Sequence, residues 1–375
     1  MDIADIFREN VSTYLRKFGR KIPFNHLKAI NAIINCRTPA MGGEVYYCQA
    51  CKTYHYSYHS CQNRHCPKCQ SERSNQWLEK QLKKLLPVKY FLVGFTIPQE
   101  LYPVFRSNQK LCYSLLFKSA AEALQTLLSD PKYAGGVGGI TGILHTWTRQ
   151  LMYHPHLHFI VLGGAFDFIR SEWKSSHHAF LIPVRALSKI YRAKLRDHLK
   201  SSDPKLFISI PKAVWKKEFV THSEPVGKGE SAFKYLSNYV YRVAISNNRI
   251  VKYENEMVTF RYKDSETNEI KYRTVSAIEF MRRFLLHVLP AGFQKIRYYG
   301  FMSSAAKEMF EKVKLALKAA TPTAKTVFFK IRQRAANICP NCSKIMIKVA
   351  VCHRQKRAPP FFWQRNVTQK QTLIA

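Results

Sequence analysis

The sequence predicts an α+β fold that begins with a cysteine-rich segment and ends with a basic helical region. Three observations support this class. Apolar residues recur at helical spacing in residues 5–34, and later helical segments alternate with short strand-like runs. Residues 153–159 carry three alternating histidines and continue into an apolar stretch typical of a strand covered on both faces. Six of the ten cysteines fall between residues 36 and 69.

The composition favours a folded protein with a polyanionic partner. The chain of 375 residues is long enough for two or three domains, and its hydrophobic content of 46% excludes a disordered chain. The 60 Lys and Arg residues against 24 Asp and Glu give a formal charge of +36. We expect nucleic acid to neutralise this charge rather than an anionic membrane, because no basic amphipathic helix dominates. The 20 Tyr, 24 Phe and 5 Trp residues favour single strands, since aromatic rings stack on unpaired bases.

The sequence shows no signal for export or membrane insertion. Its first 18 residues are charged throughout, unlike a signal peptide, and no apolar run approaches the ~20 residues of a membrane span. We therefore expect a cytoplasmic protein whose cysteines bind metal or remain thiols instead of forming disulfides.

The cysteine-rich segment predicts a zinc ribbon. Cys48 and Cys51 form one C-x-x-C knuckle, Cys66 and Cys69 form another, and fourteen residues separate the two. Each knuckle can offer two thiolates to one ion, and two knuckles complete a tetrahedron. The prediction is one Zn²⁺ bound by these four residues.

Further candidate ligands lie close to these knuckles. Some of Cys36, His59, Cys61 and His65 could supply a second zinc site. The alternative is that Cys61 and His65 pack around the first site. The surrounding sequence is basic and rich in tyrosine, and we expect Arg64 and Lys68 to contact DNA. The alternative is a ribbon with a purely structural role.

The elements that follow the ribbon lead to the histidine strand. We predict a connector helix at 72–86, a strand at 89–97, a helix at 99–129, a glycine-rich loop at 135–139 and a strand at 140–147. This last strand and the histidine strand should form an antiparallel hairpin.

The remainder of the chain continues to mix helices and strands. Helices are predicted at 183–200 and 231–244, with strands at 206–210, 217–221, 249–254, 257–263 and 269–274. Ser276 and Glu279 form a capping box that begins another helix. Residues 303–336 are a basic helical region, followed by the lone knuckle of Cys339 and Cys342 and a loose tail. Three consecutive domains result, at 1–85, 86–302 and 303–375.

The histidine strand predicts a metal site. His156 and His158 project from one face, because side-chain direction repeats every two residues in a strand. Both imidazoles can therefore bind one divalent ion, which would polarise a phosphate. The third ligand stays open between His154, on the same strand face, and Asn238.

A tyrosine pair supplies a candidate nucleophile. Tyr235 and Tyr239 lie about 40° apart around the predicted helix and one turn apart along it, so both can face one site. Arg242 lies close in angle to Tyr235 and is a candidate DNA contact. A tyrosine phenolate can attack a phosphodiester and keep the bond energy in a phosphotyrosine link, so that rejoining needs no ATP.

Several blocks resemble the two-tyrosine rolling-circle transposases of the HUH nuclease superfamily, the IS91 type of bacterial insertion sequences. The resemblance covers roughly residues 25–345. Its blocks include Ser60-Cys-Gln-Asn-Arg-His-Cys-Pro-Lys-Cys69, His145-Thr-Trp147, His154-Pro-His-Leu-His-Phe159, Tyr235-Leu-Ser-Asn-Tyr-Val-Tyr-Arg242 and Gly292-Phe-Gln-Lys-Ile-Arg-Tyr-Tyr-Gly300.

The resemblance implies an N-terminal zinc-binding domain and a catalytic domain with a central antiparallel sheet flanked by helices. It gives the catalytic metal, Mg²⁺ or Mn²⁺, to His156 and His158, and the nucleophile roles to Tyr235 and Tyr239. It also implies single-strand nicking in rolling-circle transposition, in a bacterial cytoplasm and near the nucleoid. Two alternatives remain: a plasmid relaxase or replication initiator with the same chemistry, and a non-catalytic zinc-ribbon DNA-binding protein.

Overall fold

The computed structural model describes residues 2–69, 76–77, 80–81, 84–176, 180–228, 243–320 and 337–354. Its α-helices are α1 Ile3–Phe18, α2 Phe24–Asn35, α3 Tyr102–Ser107, α4 Gln109–Ser129, α5 Val184–Ser202, α6 Pro204–Ile208, α7 Ala277–Leu285 and α8 Lys307–Ala320. Its strands are β1 Gly43–Cys48, β2 Thr53–Tyr58, β3 Lys89–Thr96, β4 Gly139–Trp147, β5 Tyr153–Leu162, β6 Gly164–Asp167, β7 Glu172–Ser175, β8 Thr221–Lys228, β9 Ile250–Glu254, β10 Met257–Lys263, β11 Ile270–Ser276, β12 Ile296–Gly300 and β13 Ile347–Cys352.

The chain forms two compact units that are discontinuous in sequence. The first contains Met1–Glu72, Ile245–Val288 and Lys330–Ala375, and the second contains Arg73–Ala244 and Leu289–Phe329. This division differs from the three consecutive domains predicted at 1–85, 86–302 and 303–375. The reason is long-range pairing, because β13 pairs with β1 and α7 packs on α1. Both partners of each pair thereby belong to the first unit.

The first unit contains two antiparallel three-stranded sheets, in the orders β13-β1-β2 and β11-β10-β9. Helix α7 begins at the predicted cap, where the Ser276 hydroxyl accepts a hydrogen bond from the Glu279 amide. Its Phe284 ring packs edge-on against Phe7 of α1, with 5.3 Å between ring centroids. The β9–β11 meander and the capped helix agree with the sequence prediction.

The second unit is built on a five-stranded antiparallel sheet in the order β12-β4-β5-β3-β8. The predicted central antiparallel sheet is therefore present, and the histidine strand β5 is its middle strand. One face of β5 presents Leu157, Phe159 and Val161 to a core shared with α4 and α5. The opposite face presents Ile160 and Leu162 to a second cluster that includes α8. The apolar end of β5 is thus covered on both faces, as its sequence predicted.

Two local predictions were wrong. Residues 206–210, predicted as a strand, lie mostly in helix α6, because Pro204 occupies its first turn and the Asp203 side chain accepts a hydrogen bond from the Leu206 amide. The strand predicted at 217–221 lies too early, since β8 begins at Thr221. The C-terminal region is helical only in α8 among its described residues, and its knuckle leads into strand β13. No helix of the described residues is long and apolar enough to cross a membrane.

Candidate metal and catalytic centres

The histidines of the second unit meet on one face of the central sheet. His145 on β4 lies directly opposite His156 in the antiparallel register, so both side chains share a face. His158 follows two residues along β5 on that same face. One ring nitrogen from each of these three residues lies within 4.8 Å of the other two. We call His145, His156 and His158 the histidine group, and its spacing suits a single metal ion.

A backbone hydrogen bond orients His156 toward this group. Its Nδ1 donates to the His154 carbonyl at 2.7 Å, which leaves the Nε2 lone pair available for a metal. Burial, with the nearby His158 ring, holds the pKa of His156 well below its ordinary value. The imidazole is therefore neutral at physiological pH, which is the form that ligates metals.

Sequence reasoning missed one member of the histidine group. The histidine group contains His145, whereas the His154 imidazole lies outside it and contacts the Tyr102 hydroxyl. His154 contributes its carbonyl to the site rather than its ring. Asn238, the other candidate, lies outside the described residues. The predicted β4–β5 hairpin could have revealed His145, because its register places His145 beside His156.

Aromatic packing holds the His145 ring in place. His145 is 3% exposed, and the Trp147 indole stacks on it with 4.7 Å between centroids and 25° between planes. The Lys295 ammonium lies 5.1 Å from the Trp147 ring centroid, within cation–π range. Trp147 is therefore a positioning residue for His145.

Glycine lines the sheet next to the histidine group. Gly94 of β3 lies between His158 and His222 in the strand register. Among the described residues, a Cβ on Gly94 would meet only the His222 Cβ, at 3.9 Å. The described residues therefore leave space for a Cβ at this one position beside His158.

The predicted nucleophiles and one predicted DNA contact belong to a single segment of the chain. Tyr235, Tyr239 and Arg242 all lie outside the described residues, between the end of β8 and residue 243. Their roles stay predictions.

Eight cysteines of the first unit form two separate groups. Cys36, Cys61, Cys66 and Cys69 form the first cysteine group, and Cys48, Cys51, Cys339 and Cys342 form the second. All sulfur atoms within each group lie within 4.8 Å of one another. In the first group, the Cys69 Sγ is 3.5 Å from that of Cys36 and 3.6 Å from that of Cys61.

This grouping corrects the prediction of one site built from Cys48, Cys51, Cys66 and Cys69. The two knuckles lie at opposite ends of the β1–β2 hairpin, whose strands have six residues each. Such strands span roughly 20 Å, too far for one ion to bridge. Cys36 and Cys61 instead join the second knuckle, whereas His65, also considered as a ligand, lies outside both groups.

The two described DNA-contact candidates lie near the first cysteine group. Lys68 forms an ion pair with Asp2, with 2.7 Å between Nζ and Oδ2, and Arg64 is half-buried. Both retain some exposure, and their contact with DNA stays a prediction.

Comparison with known proteins decides the family. Residues 6–97 match a family model described as "Transposase zinc-binding domain", and residues 139–309 match one described as "Putative transposase". The chain is 38% identical over 325 residues to "Putative transposase y4qJ" of Sinorhizobium fredii, covering 82% of this chain and 81% of that protein. The chain belongs to the IS91-type transposase family.

A second relative of this family supports the assignment. The "Transposase for insertion sequence element IS801" of Pseudomonas savastanoi pv. phaseolicola is 28% identical over 337 residues, which cover 84% of this chain and 80% of that protein. No solved structure gives a significant match. The resemblance found in the sequence is thus confirmed, and membership favours a transposase over a relaxase or replication initiator.

The two matched regions correspond to the two kinds of metal centre. The transposase zinc-binding region contains the whole first cysteine group, so zinc is the metal of this part of the chain. The region matching the second family model contains the whole histidine group. Cys339 and Cys342 lie beyond both regions.

Proposed function

We propose that this transposase cuts and rejoins single-stranded DNA at the ends of its element, through a metal-dependent tyrosine reaction in rolling-circle transposition. The observation that carries the proposal is the histidine group. Three imidazoles on a sheet face are a ligand set with room for substrate in the remaining coordination positions. A protein that only binds DNA would have no need of such an incomplete site.

The donor set fits a divalent ion and favours one of the two predicted metals. Imidazole nitrogens are softer ligands than carboxylates, so we expect Mn²⁺ to bind more tightly than Mg²⁺. When bound, the ion would polarise the scissile phosphate and stabilise its negative charge. His156, oriented by the His154 carbonyl, and His145, packed under Trp147, hold their nitrogens ready for this ion.

The proposed chemistry assigns the nucleophile to Tyr235. Its phenolate attacks the phosphorus, the bond to the 3′ oxygen breaks, and that oxygen takes a proton to become a free 3′-OH. The 5′ phosphate stays linked to the tyrosine until another 3′-OH attacks it and releases the phenolate. Tyr239 allows a second transfer before the first link is released.

The charge of the chain supports a DNA substrate. A formal charge of +36 favours a polyanionic partner, and Arg64, Lys68 and Arg242 are the contacts we propose. The abundant aromatic residues favour unpaired bases over duplex DNA.

The test is formation of a covalent protein–DNA adduct. Wild-type protein is incubated with a single-stranded oligonucleotide of the element end and Mn²⁺, and the adduct is detected by denaturing gel and mass spectrometry of the linked peptide. We expect the adduct at Tyr235 or Tyr239, and none in the Tyr235→Phe/Tyr239→Phe double variant. Wild-type cutting by the double variant would refute the nucleophile assignment.

A matched pair of substitutions tests the third ligand. His145→Ala removes a ring nitrogen from the group, whereas His154→Ala leaves the carbonyl that orients His156 in place. We expect the first variant to lose adduct formation and the second to retain most of it. The reverse result would return the ligand role to His154.

A further inference from the structure

The second cysteine group joins two knuckles from distant parts of the chain. The Cys48 Sγ lies 3.6 Å from that of Cys342, and the Cys51 Sγ lies 3.9 Å from that of Cys339. A tetrahedral zinc with Zn–S bonds of about 2.3 Å separates its sulfur ligands by about 3.8 Å. Disulfide sulfurs would instead lie about 2.05 Å apart. The spacing therefore matches four thiolates around one ion.

The two knuckles share one feature of their backbones. In each, the residue after the second cysteine has a positive φ, 54° at Lys52 and 59° at Ser343. Each turn is also closed by a hydrogen bond. The Cys51 amide donates to the Cys48 Sγ at 3.5 Å, and the Ser343 amide donates to the Cys339 carbonyl at 2.9 Å. Both knuckles are thus closed turns, although the hydrogen bond that closes each one is different.

The surroundings of the group suit a metal–thiolate centre. Cys48 and Cys339 are fully buried and pack with Tyr46 and Met346. The His55 Nε2 lies 3.6 Å from the Cys339 Sγ, where an imidazole N–H can donate to a thiolate. Such outer contacts are typical of metal ligands, because four thiolates around one Zn²⁺ carry excess negative charge.

Apolar packing contributes little to the stability of strand β13. Among the described residues it is an edge strand whose strand partner is β1, and Ile347, Val349 and Val351 are each about half exposed, at 49%, 50% and 51%. Little apolar area is therefore buried to hold it in register. The second cysteine group lies immediately before β13 and at the end of β1.

We infer that Cys48, Cys51, Cys339 and Cys342 bind a second zinc ion, which fastens β13 to the sheet of the first unit. The matched zinc-binding region ends at residue 97, so it assigns no role to Cys339 and Cys342. Zinc binding here supplies folding free energy to a strand with few apolar contacts. The inference is independent of the DNA chemistry proposed above.

The experiment counts zinc in the full-length protein, purified under reducing conditions, by elemental mass spectrometry. All samples carry His156→Ala, because the histidine group can also bind zinc. We expect two zinc ions per chain in this background and one after adding Cys339→Ser and Cys342→Ser. The matched control is Cys112→Ser, a buried cysteine of α4 outside both groups, which should retain two.

Two further readouts keep the inference falsifiable if the serine variant folds poorly. X-ray absorption of the His156→Ala protein should show an all-sulfur zinc shell near 2.3 Å. Hydrogen exchange at residues 347–352 should be slow in that protein and faster in the Cys339→Ser/Cys342→Ser variant. Any of three results would overturn the inference. These are a count of one zinc before any cysteine is changed, an unchanged count in the serine variant, and iron in place of zinc.

Discussion

The cysteine groups of the first unit and the histidine group of the second differ in the number of ligands that they offer to an ion. Each cysteine group offers four thiols to one ion, which fills a tetrahedron and leaves no position for a substrate. The histidine group offers three nitrogens, which leaves at least one coordination position of an ion for a substrate. Complete ligand sets stabilise a fold, whereas incomplete sets do chemistry. Four predictions test this contrast.

The largest effect is expected at the histidine group. His156→Ala should reduce adduct formation by roughly 10³-fold or more, because an ion held by two ligands is lost or misplaced. The melting temperature of the His156→Ala variant should change little, because we assign the histidine group a role in catalysis rather than in folding. The measurement is the adduct rate beside a melting curve. His198→Ala on α5, which pairs with Glu122, is the control and should cut normally.

Loss of a ligand from the first cysteine group should instead destabilise the protein. Cys66→Ser should lower the free energy of unfolding of the first unit by roughly 4 kcal/mol or more and release its zinc. Urea unfolding measures the change in the free energy of unfolding, and elemental analysis measures the loss of zinc. The contrast between the centres would fail if Cys66→Ser kept its zinc and its stability, or if Cys112→Ser were equally damaging.

A chelator should remove the metal of the histidine group more readily than the zinc of the cysteine groups. Brief treatment with EDTA should abolish adduct formation while the melting temperature shifts by only about 2 °C or less, because closed thiolate sites release zinc slowly and the three-ligand site exchanges readily. Added Mn²⁺ should restore cutting. If activity returned only with Zn²⁺, the catalytic metal assigned to the histidines would be wrong.

The smallest effect is expected at Trp147. Trp147→Ala removes the ring stacked on His145 and should raise the Mn²⁺ concentration needed for half-maximal cutting about tenfold. Saturating Mn²⁺ should restore most of the rate. Trp147→Phe keeps an aromatic face and should lie close to wild type; equal losses in both variants would argue against a stacking role.

Local patterns were enough to predict much of this fold. Strand alternation placed His156 and His158 on one face, and the cap at Ser276 marked the start of α7. These features depend on neighbours a few residues away, so spacing alone reveals them. Helix α6 was one of the two local exceptions, because a largely apolar run at 206–210 masked the Asp203 cap.

Long-range pairing was what the sequence did not specify. His145 joins the histidine group only through the register of β4 against β5, which includes an irregularity just beyond His145. The cysteine partners depend on the length of the β1–β2 hairpin and on a knuckle almost three hundred residues away. Spacing rules assume that the nearest two knuckles share an ion, and the hairpin separates them.

The distance between the two knuckles of the second cysteine group also has a consequence for biosynthesis. Cys51 and Cys339 are 288 residues apart, so a ribosome working at about 5–20 residues per second needs roughly 15–60 s between them. During most of that interval Cys48 and Cys51 lack their two partner cysteines, whereas the first cysteine group is complete once Cys69 has been made. The nascent transposase therefore completes its second cysteine group only after residue 342 has been made.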